Sequence, residues 1–176
     1  MRILLAVVAV ALLWVRPAAA CGFWDMKDLD KKVEVRWLIN AGTVTRGETR
    51  LAHLYLDIEA PAGVRVAADH EVVFDIVRGK VLRHGKAVGT VDGEHVTIQG
   101  TAYTFEWGNL QKVEGLAGWH LVVRRDRDGK AIVASDLAVS LCGSLHHEDR
   151  PTTDAERQDE LRRRVTFYLA WRELGM

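Results

Sequence analysis

Only two cysteines, Cys21 and Cys142, and three prolines occur in the 176 residues. A chain so poor in cysteine is no disulfide-rich miniprotein and must hold itself together by a hydrophobic core. Charge of one sign is lacking as well. Lys and Arg total 24 and so do Asp and Glu, so no long-range field draws the chain to nucleic acid or to an anionic membrane. No apolar run reaches the roughly 20 residues that a spanning helix needs. The run Ile3–Val15 comes nearest, and it is too short to be read as a transmembrane span. Serine is confined to Ser135, Ser140 and Ser144, none in a G-x-S-x-G context. There is no H-E-x-x-H, no phosphate loop and no dinucleotide fingerprint, so no cofactor is expected. No N-x-[ST] sequon occurs either.

The first twenty residues are informative. Arg2 precedes the apolar run, and Arg16-Pro17 and Ala18-Ala19-Ala20 follow it. A positive start, a short apolar segment and small residues before a cut make an export signal. Residues 1–20 are therefore expected to be a signal peptide and 21–176 a single β-rich domain, periplasmic or secreted. Arginine outnumbers lysine, and Ala, Val and Gly are abundant, which suggests a bacterial source. Two fates are open to Cys21. Cleavage after Ala20 leaves it free to form a disulfide with Cys142, closing a loop of about 120 residues worth up to ~4–5 kcal/mol. Alternatively Cys21 is the lipidated residue of a bacterial lipoprotein, a fate that anchors the domain to the membrane and leaves Cys142 a free thiol.

Period-2 alternation dominates from Lys31 to about Leu141. Val33, Val35, Trp37 and Ile39 share one face, as do Ala52, Leu54, Leu56 and Ile58. Tyr103, Phe105 and Trp107 form another such set, and Trp119, Leu121 and Val123 a fourth. Pro61-Ala62-Gly63, Gly79-Lys80, Gly85-Lys86, Asp92-Gly93 and Asp128-Gly129 mark reversals, the two Asp-Gly pairs suiting type I′ turns. The expectation is a mainly β, antiparallel meander barrel or two-sheet sandwich of about eight to ten short strands. Thr153-Asp154-Ala155-Glu156 is a capping box, opening an amphipathic C-terminal helix over 153–174. Its charged stretch 158–164 should face water, and its C-terminal half should cover an open face or edge of the sheet.

Candidate chemistry is sparse. Cys142, His146 and His147 with Glu148 and Asp149 have the residue types of a Zn²⁺ or Cu²⁺ site, and a metal-dependent enzyme using His146 and His147 is one alternative. The polar loop before a helix cap accounts for the same residues. His53, Tyr55 and Asp57 share a strand face, and with His120 they can be imagined as a polar patch inside a barrel. The basic runs Arg124-Arg125-Asp126-Arg127 and Arg162-Arg163-Arg164 read as solvated faces. Trp37, Tyr103, Trp107 and Trp119 are candidates to line a pocket for an apolar ligand.

Gly22-Phe23-Trp24 resembles the G-x-W that opens the lipocalin barrel, and a strand-rich body followed by a C-terminal helix is similar to that family's order. The resemblance implies an eight-stranded barrel carrying a small apolar ligand. The chain departs from it in following G-x-W with the charged stretch Asp25 to Lys32. The leading expectation is an exported, non-catalytic binding or interaction domain, with an envelope protein or a small apolar ligand as partner.

Overall fold

The computed structural model describes residues 23–38, 41–57, 64–68, 72–113, 116–139 and 153–174. Twelve strands are found among them. They are β1 (Phe23–Asp28), β2 (Val33–Leu38), β3 (Ala41–Arg46), β4 (Thr49–Asp57), β5 (Val64–Ala68) and β6 (Val72–Val77), then β7 (Lys80–Arg83), β8 (Lys86–Asp92), β9 (His95–Ile98), β10 (Thr101–Val113), β11 (Leu116–Arg125) and β12 (Lys130–Val139). Each pairs antiparallel with its neighbours in sequence, and β12 returns to β1, closing the ring. The fold is thus mainly β and antiparallel, with one helix at the C-terminus, α1 (Asp154–Leu174). It is a meander barrel, and its strand number exceeds the eight to ten expected.

The extra strands come from segments whose alternation carries charge. In β1, Trp24, Met26 and Asp28 point inward while Asp25 and Lys27 face water. Asp28 on the inner row hides the strand from a search for apolar residues. β7 and β9 are four residues each, too short to show a period. Two of the turns also fall one residue earlier than expected, at Arg78-Gly79 and His84-Gly85. The two-residue turns with positive φ at both positions are Arg78-Gly79, His84-Gly85 and Gln99-Gly100. That is the type I′ pattern, whose twist matches the strands it joins. Asp92 instead lies within β8, and the turn there is Gly93-Glu94.

The inner wall is apolar. Val33, Val35, Trp37, Val44, Leu54, Phe74, Val81, Val96, Ile98, Phe105, Leu121 and Val123 are buried in one continuous core. Gly42 pairs with Trp37 and leaves the space the indole fills, since a Cβ there would lie 2.8 Å from the ring.

α1 does not cover a sheet edge; it fills the barrel. Arg164 through Arg172 are nine consecutive buried residues. Successive helical residues turn about 100°, so burial of nine in a row means protein on every side. The contacts come from around the ring: Asp28 of β1, Trp37 of β2, Arg83 of β7, Tyr103 of β10 and Glu94 of the β8–β9 turn. Polarity therefore runs along the helix rather than across it, with a charged first half and a second half buried all round. The capping box forms as expected. The Glu156 amide donates to Thr153 Oγ1 at 3.2 Å, and the Thr153 amide to Glu156 Oε2 at 2.9 Å. A barrel of eight strands has room only for side chains, whereas about eleven suffice to enclose a helix. Twelve strands and an internal helix replace the eight-stranded, ligand-holding barrel that the G-x-W likeness implies.

The two rims differ. β1 and α1 both start at one, the N-terminal rim, where β12 ends. α1 ends at the other, the C-terminal rim, beside the turns 29–32 and 126–129. The β1–β12 seam has two register pairs, Lys27 with Ala134 and Asp28 with Val133. Beyond them Ser135 joins the strands by its side chain. Its hydroxyl accepts from Trp24 Nε1 and donates to the Asp25 carbonyl, both at 2.8 Å. Ser135→Ala should leave a buried indole N–H unpaired and cost about 1–3 kcal/mol, read as a lower urea midpoint with an unchanged slope. A wild-type midpoint would show that the seam does not need this hydroxyl.

Candidate functional site

The densest polar cluster lies at the C-terminal rim, where the alternation of β1 turns Asp28 inward. Its side chain has no exposed surface, and a buried carboxylate must be matched by donors. Oδ1 accepts the backbone amides of Asp30 at 2.9 Å and Lys31 at 2.7 Å, fixing the β1–β2 turn. Oδ2 accepts the Tyr168 hydroxyl and Arg172 Nε, both at 2.7 Å. Arg172, buried at the end of the apolar half of α1, extends the network. Its Nη2 donates to Asp30 at 2.7 Å, and Nη1 contacts Glu173 and the Tyr103 hydroxyl. Tyr103 donates to Glu173 at 2.7 Å. Asp30 in turn accepts from Lys130 and lies 3.8 Å from Arg125.

Tyrosines beside carboxylates and an arginine have the composition of an acid–base site, but the electrostatics run the other way. Burial, then the hydrogen bond to Glu173, pushes the Tyr103 phenol well above its ordinary value. Burial, then the charge of Asp28, does the same to Tyr168. A general acid or base needs a pKa brought toward neutrality, and these phenols are held protonated. Burial disfavours the Arg172 charge, but Asp28 outweighs it and raises the guanidinium. The Lys130 hydrogen bond, opposed by burial and helped by the charges of Lys130, Arg172 and Arg125, holds Asp30 below its usual range. The cluster acts as a clamp, tying α1 to β1, β10 and the β1–β2 turn.

A smaller latch holds the other end of the helix. Glu94 accepts from Trp107 Nε1 and, at 2.6 Å, from Arg162. Arg164 donates to Glu160 at 2.6 Å, and its guanidinium lies over the Trp37 ring, 5.6 Å from the centroid. Two of the three arginines in 162–164 are therefore largely buried and paired, and only Arg163 is a solvated one. Arg125 is likewise mostly covered, while Arg124 pairs with Glu106 on the outer wall. The reading of both runs as solvated faces is corrected accordingly.

The aromatic candidates are built into the protein core. Trp37, Tyr103 and Trp119 are buried, and Trp119 meets Trp107 edge-on with centroids 6.3 Å apart. Among the described residues the histidines do not converge inside the barrel. His53 lies on the outer wall, with Thr43 Oγ1 3.2 Å from its Nδ1 and the Tyr55 ring 5.9 Å away. His95 and His120 are exposed on other strands. Cys21, Cys142, His146 and His147 lie outside the described residues, and among the described residues no group of three metal-ligating side chains converges. No protein-family model, no curated protein and no solved structure matches the chain.

Two outcomes follow from the clamp. Asp28→Ala takes from Arg172 its buried carboxylate partner and leaves the Tyr168 hydroxyl and the Asp30 and Lys31 amides without their acceptor, and should cost about 3–5 kcal/mol, whereas Tyr168→Phe removes one hydrogen bond and should cost about 1–2 kcal/mol. Equal urea midpoints for the two variants would count against the pairing. The raised phenols add an alkaline limb. Stability should be full below the ordinary tyrosine value of 10.0 and fall as pH rises above it, because only the unfolded chain releases those protons easily. Phenolate absorbance should therefore develop for Tyr103 and Tyr168 together with loss of circular dichroism; ionisation in a fully folded protein would contradict it.

Proposed function

We propose that this protein is an exported, non-catalytic binding domain of the bacterial envelope, which presents the outside of a helix-filled barrel to its partner. The observation that carries this reading is the occupation of the interior by α1. The aromatic side chains that a carrier would turn toward a ligand pack in the core or, like Trp107, partly against it, and the polar groups of the clamp are spent on one another. What remains available is the outer wall and the rims.

Export rests on the signal-like residues 1–20, and the strand topology supports the cysteine pairing that goes with it. β1 and β12 are hydrogen-bonded neighbours, and the start of β1 and the end of β12 lie at the same rim. Cys21 precedes Phe23 by two residues, and Cys142 follows Val139 by three. Both thiols are therefore tethered to adjacent strand ends. In the oxidising compartment they join as a disulfide, giving up two protons and two electrons to the thiol oxidant there, and the bond reinforces the seam.

Intact mass of protein recovered from the envelope tests the reading. The expected species is residues 21–176, two hydrogens lighter than its reduced form and inert to alkylation before reduction. Full-length protein in the cytosol with two alkylatable thiols would overturn export and pairing together. A diacylglycerol adduct on Cys21 would retain export and replace the disulfide by an anchor. Crosslinking in intact cells should then give a discrete adduct with an envelope protein; its absence would count against a binding role.

A further inference from the structure

We infer that the N-terminal rim is a docking face for a lipid bilayer, so that the barrel stands end-on to the membrane. Four large apolar side chains are exposed among the described residues, and three of them belong to this end. Leu38 is 54% exposed at the last position of β2, Tyr55 39% exposed near the end of β4, and Leu110 39% exposed on the last stretch of β10. Leu38, Ala41 and Tyr55 form one register row across three strands. β4 and β10 are six strands apart in a ring of twelve, whichever way the ring is followed. Tyr55 and Leu110 therefore lie on opposite sides of the barrel. No partner resting on one flank can touch both, and a flat surface meeting both must lie across the end.

Charge at this end is mixed: Arg78, Lys80 and Lys112 are exposed, and so are Asp92 and Asp136, so the apolar side chains rather than net charge mark this rim. Asp25 is paired with Arg36, and Asp154 with Arg157. The opposite rim exposes Lys31, Lys32, Arg46, Glu48, Lys86 and Arg127; Leu29, set between Asp28 and Asp30, is the one large apolar side chain exposed there among the described residues. The chain joins β1 at the N-terminal rim, with the apolar run Ile3–Val15 upstream of it. In the alternative fate of Cys21, a lipid on it lies two residues from β1 and holds the start of that strand within about 10 Å of the anchor. Single Leu and Tyr anchors spaced around a ring suit an interface that each side chain enters separately. A protein partner needs one contiguous, well-packed patch.

The inference rests on the reading that the protein is exported to the envelope, and the test keeps the two apart. Protein purified from its exporting host, its N-terminus defined by intact mass, is mixed with vesicles of phosphatidylethanolamine and phosphatidylglycerol. Backbone hydrogen exchange of the wild type should slow at Arg78-Gly79 and Gly93-Glu94 and remain unchanged at His84-Gly85 and Gln99-Gly100. Co-sedimentation should fall about tenfold or more in the triple variant Leu38→Ser, Tyr55→Ser, Leu110→Ser, and be unaffected by Leu29→Ser. Where the mass reveals an acylated Cys21, the exchange footprint alone decides. No footprint, or one at the opposite rim, overturns the inference, as does wild-type partitioning of the triple variant without an acyl chain. Retention of residues 1–20 in the mass would sink the export reading and leave the footprint to be judged by itself.

Discussion

The Arg172–Asp28 pair is the constraint on which the structure turns. A twelve-stranded ring has a lumen too wide for its own side chains to fill, so the barrel needs α1, and α1 needs a fixed depth and rotation. Dispersion and hydrophobic burial supply the affinity but are nearly indifferent to a small slide along the axis. A buried ion pair is not. With Asp28 receiving Arg172 Nε and the Tyr168 hydroxyl at 2.7 Å each, a shift by one residue would strand a charge in the core at a cost of several kcal/mol. The pair adds little net stability over an apolar pair of the same size, and its contribution is register.

Asp28 also lies where three structural problems meet. It is the last residue of β1, its Oδ1 organises the turn into β2, and its backbone is one of the two register positions at the β1–β12 seam. Seating of the helix and closure of the ring are thereby coupled. At the same seam Ser135 compensates for a short ladder by bonding Trp24 and the Asp25 carbonyl. Both devices place a polar group on an otherwise apolar inner row, satisfied in full, at the point where the first and last strands must find each other.

Much of the architecture was legible in the residue pattern. Alternation in β2, β4, β10 and β11 announced an antiparallel sheet, and Thr153 with Glu156 announced the start of α1. The helix's place inside the ring was signalled too: Val165-Thr166-Phe167-Tyr168-Leu169-Ala170-Trp171 has no polar face, which marks a helix surrounded by protein rather than one lying on a sheet. The clamp was half visible. Trp24, Met26 and Asp28 share a period-2 face, so an inward carboxylate demanded a cation, and Arg172 was the charge at the end of the apolar helical run. What no local pattern could give was the partnership itself, since 144 positions separate the two residues and only ring closure brings them together. The arginines at 125, 162 and 164 misled for a related reason: their stems lie along apolar surface while their guanidinium groups meet carboxylates from distant turns or the preceding helical turn.

The order of the elements constrains how such a molecule can form. The ring's first strand must wait for its last, and the helix that fills the ring comes later still in the chain. A ring closed before the helix arrived would enclose an unfilled apolar lumen; a helix formed alone would expose Phe167, Tyr168, Leu169 and Trp171 to water. Neither is a stable intermediate on burial grounds, since each large apolar side chain is worth about 1.5–3 kcal/mol when covered. Wall and plug therefore each supply the burial that the other needs. Asp28 sits on the strand that closes the seam, so the pairing that closes the sheet and the bond that locks the helix engage the same residue.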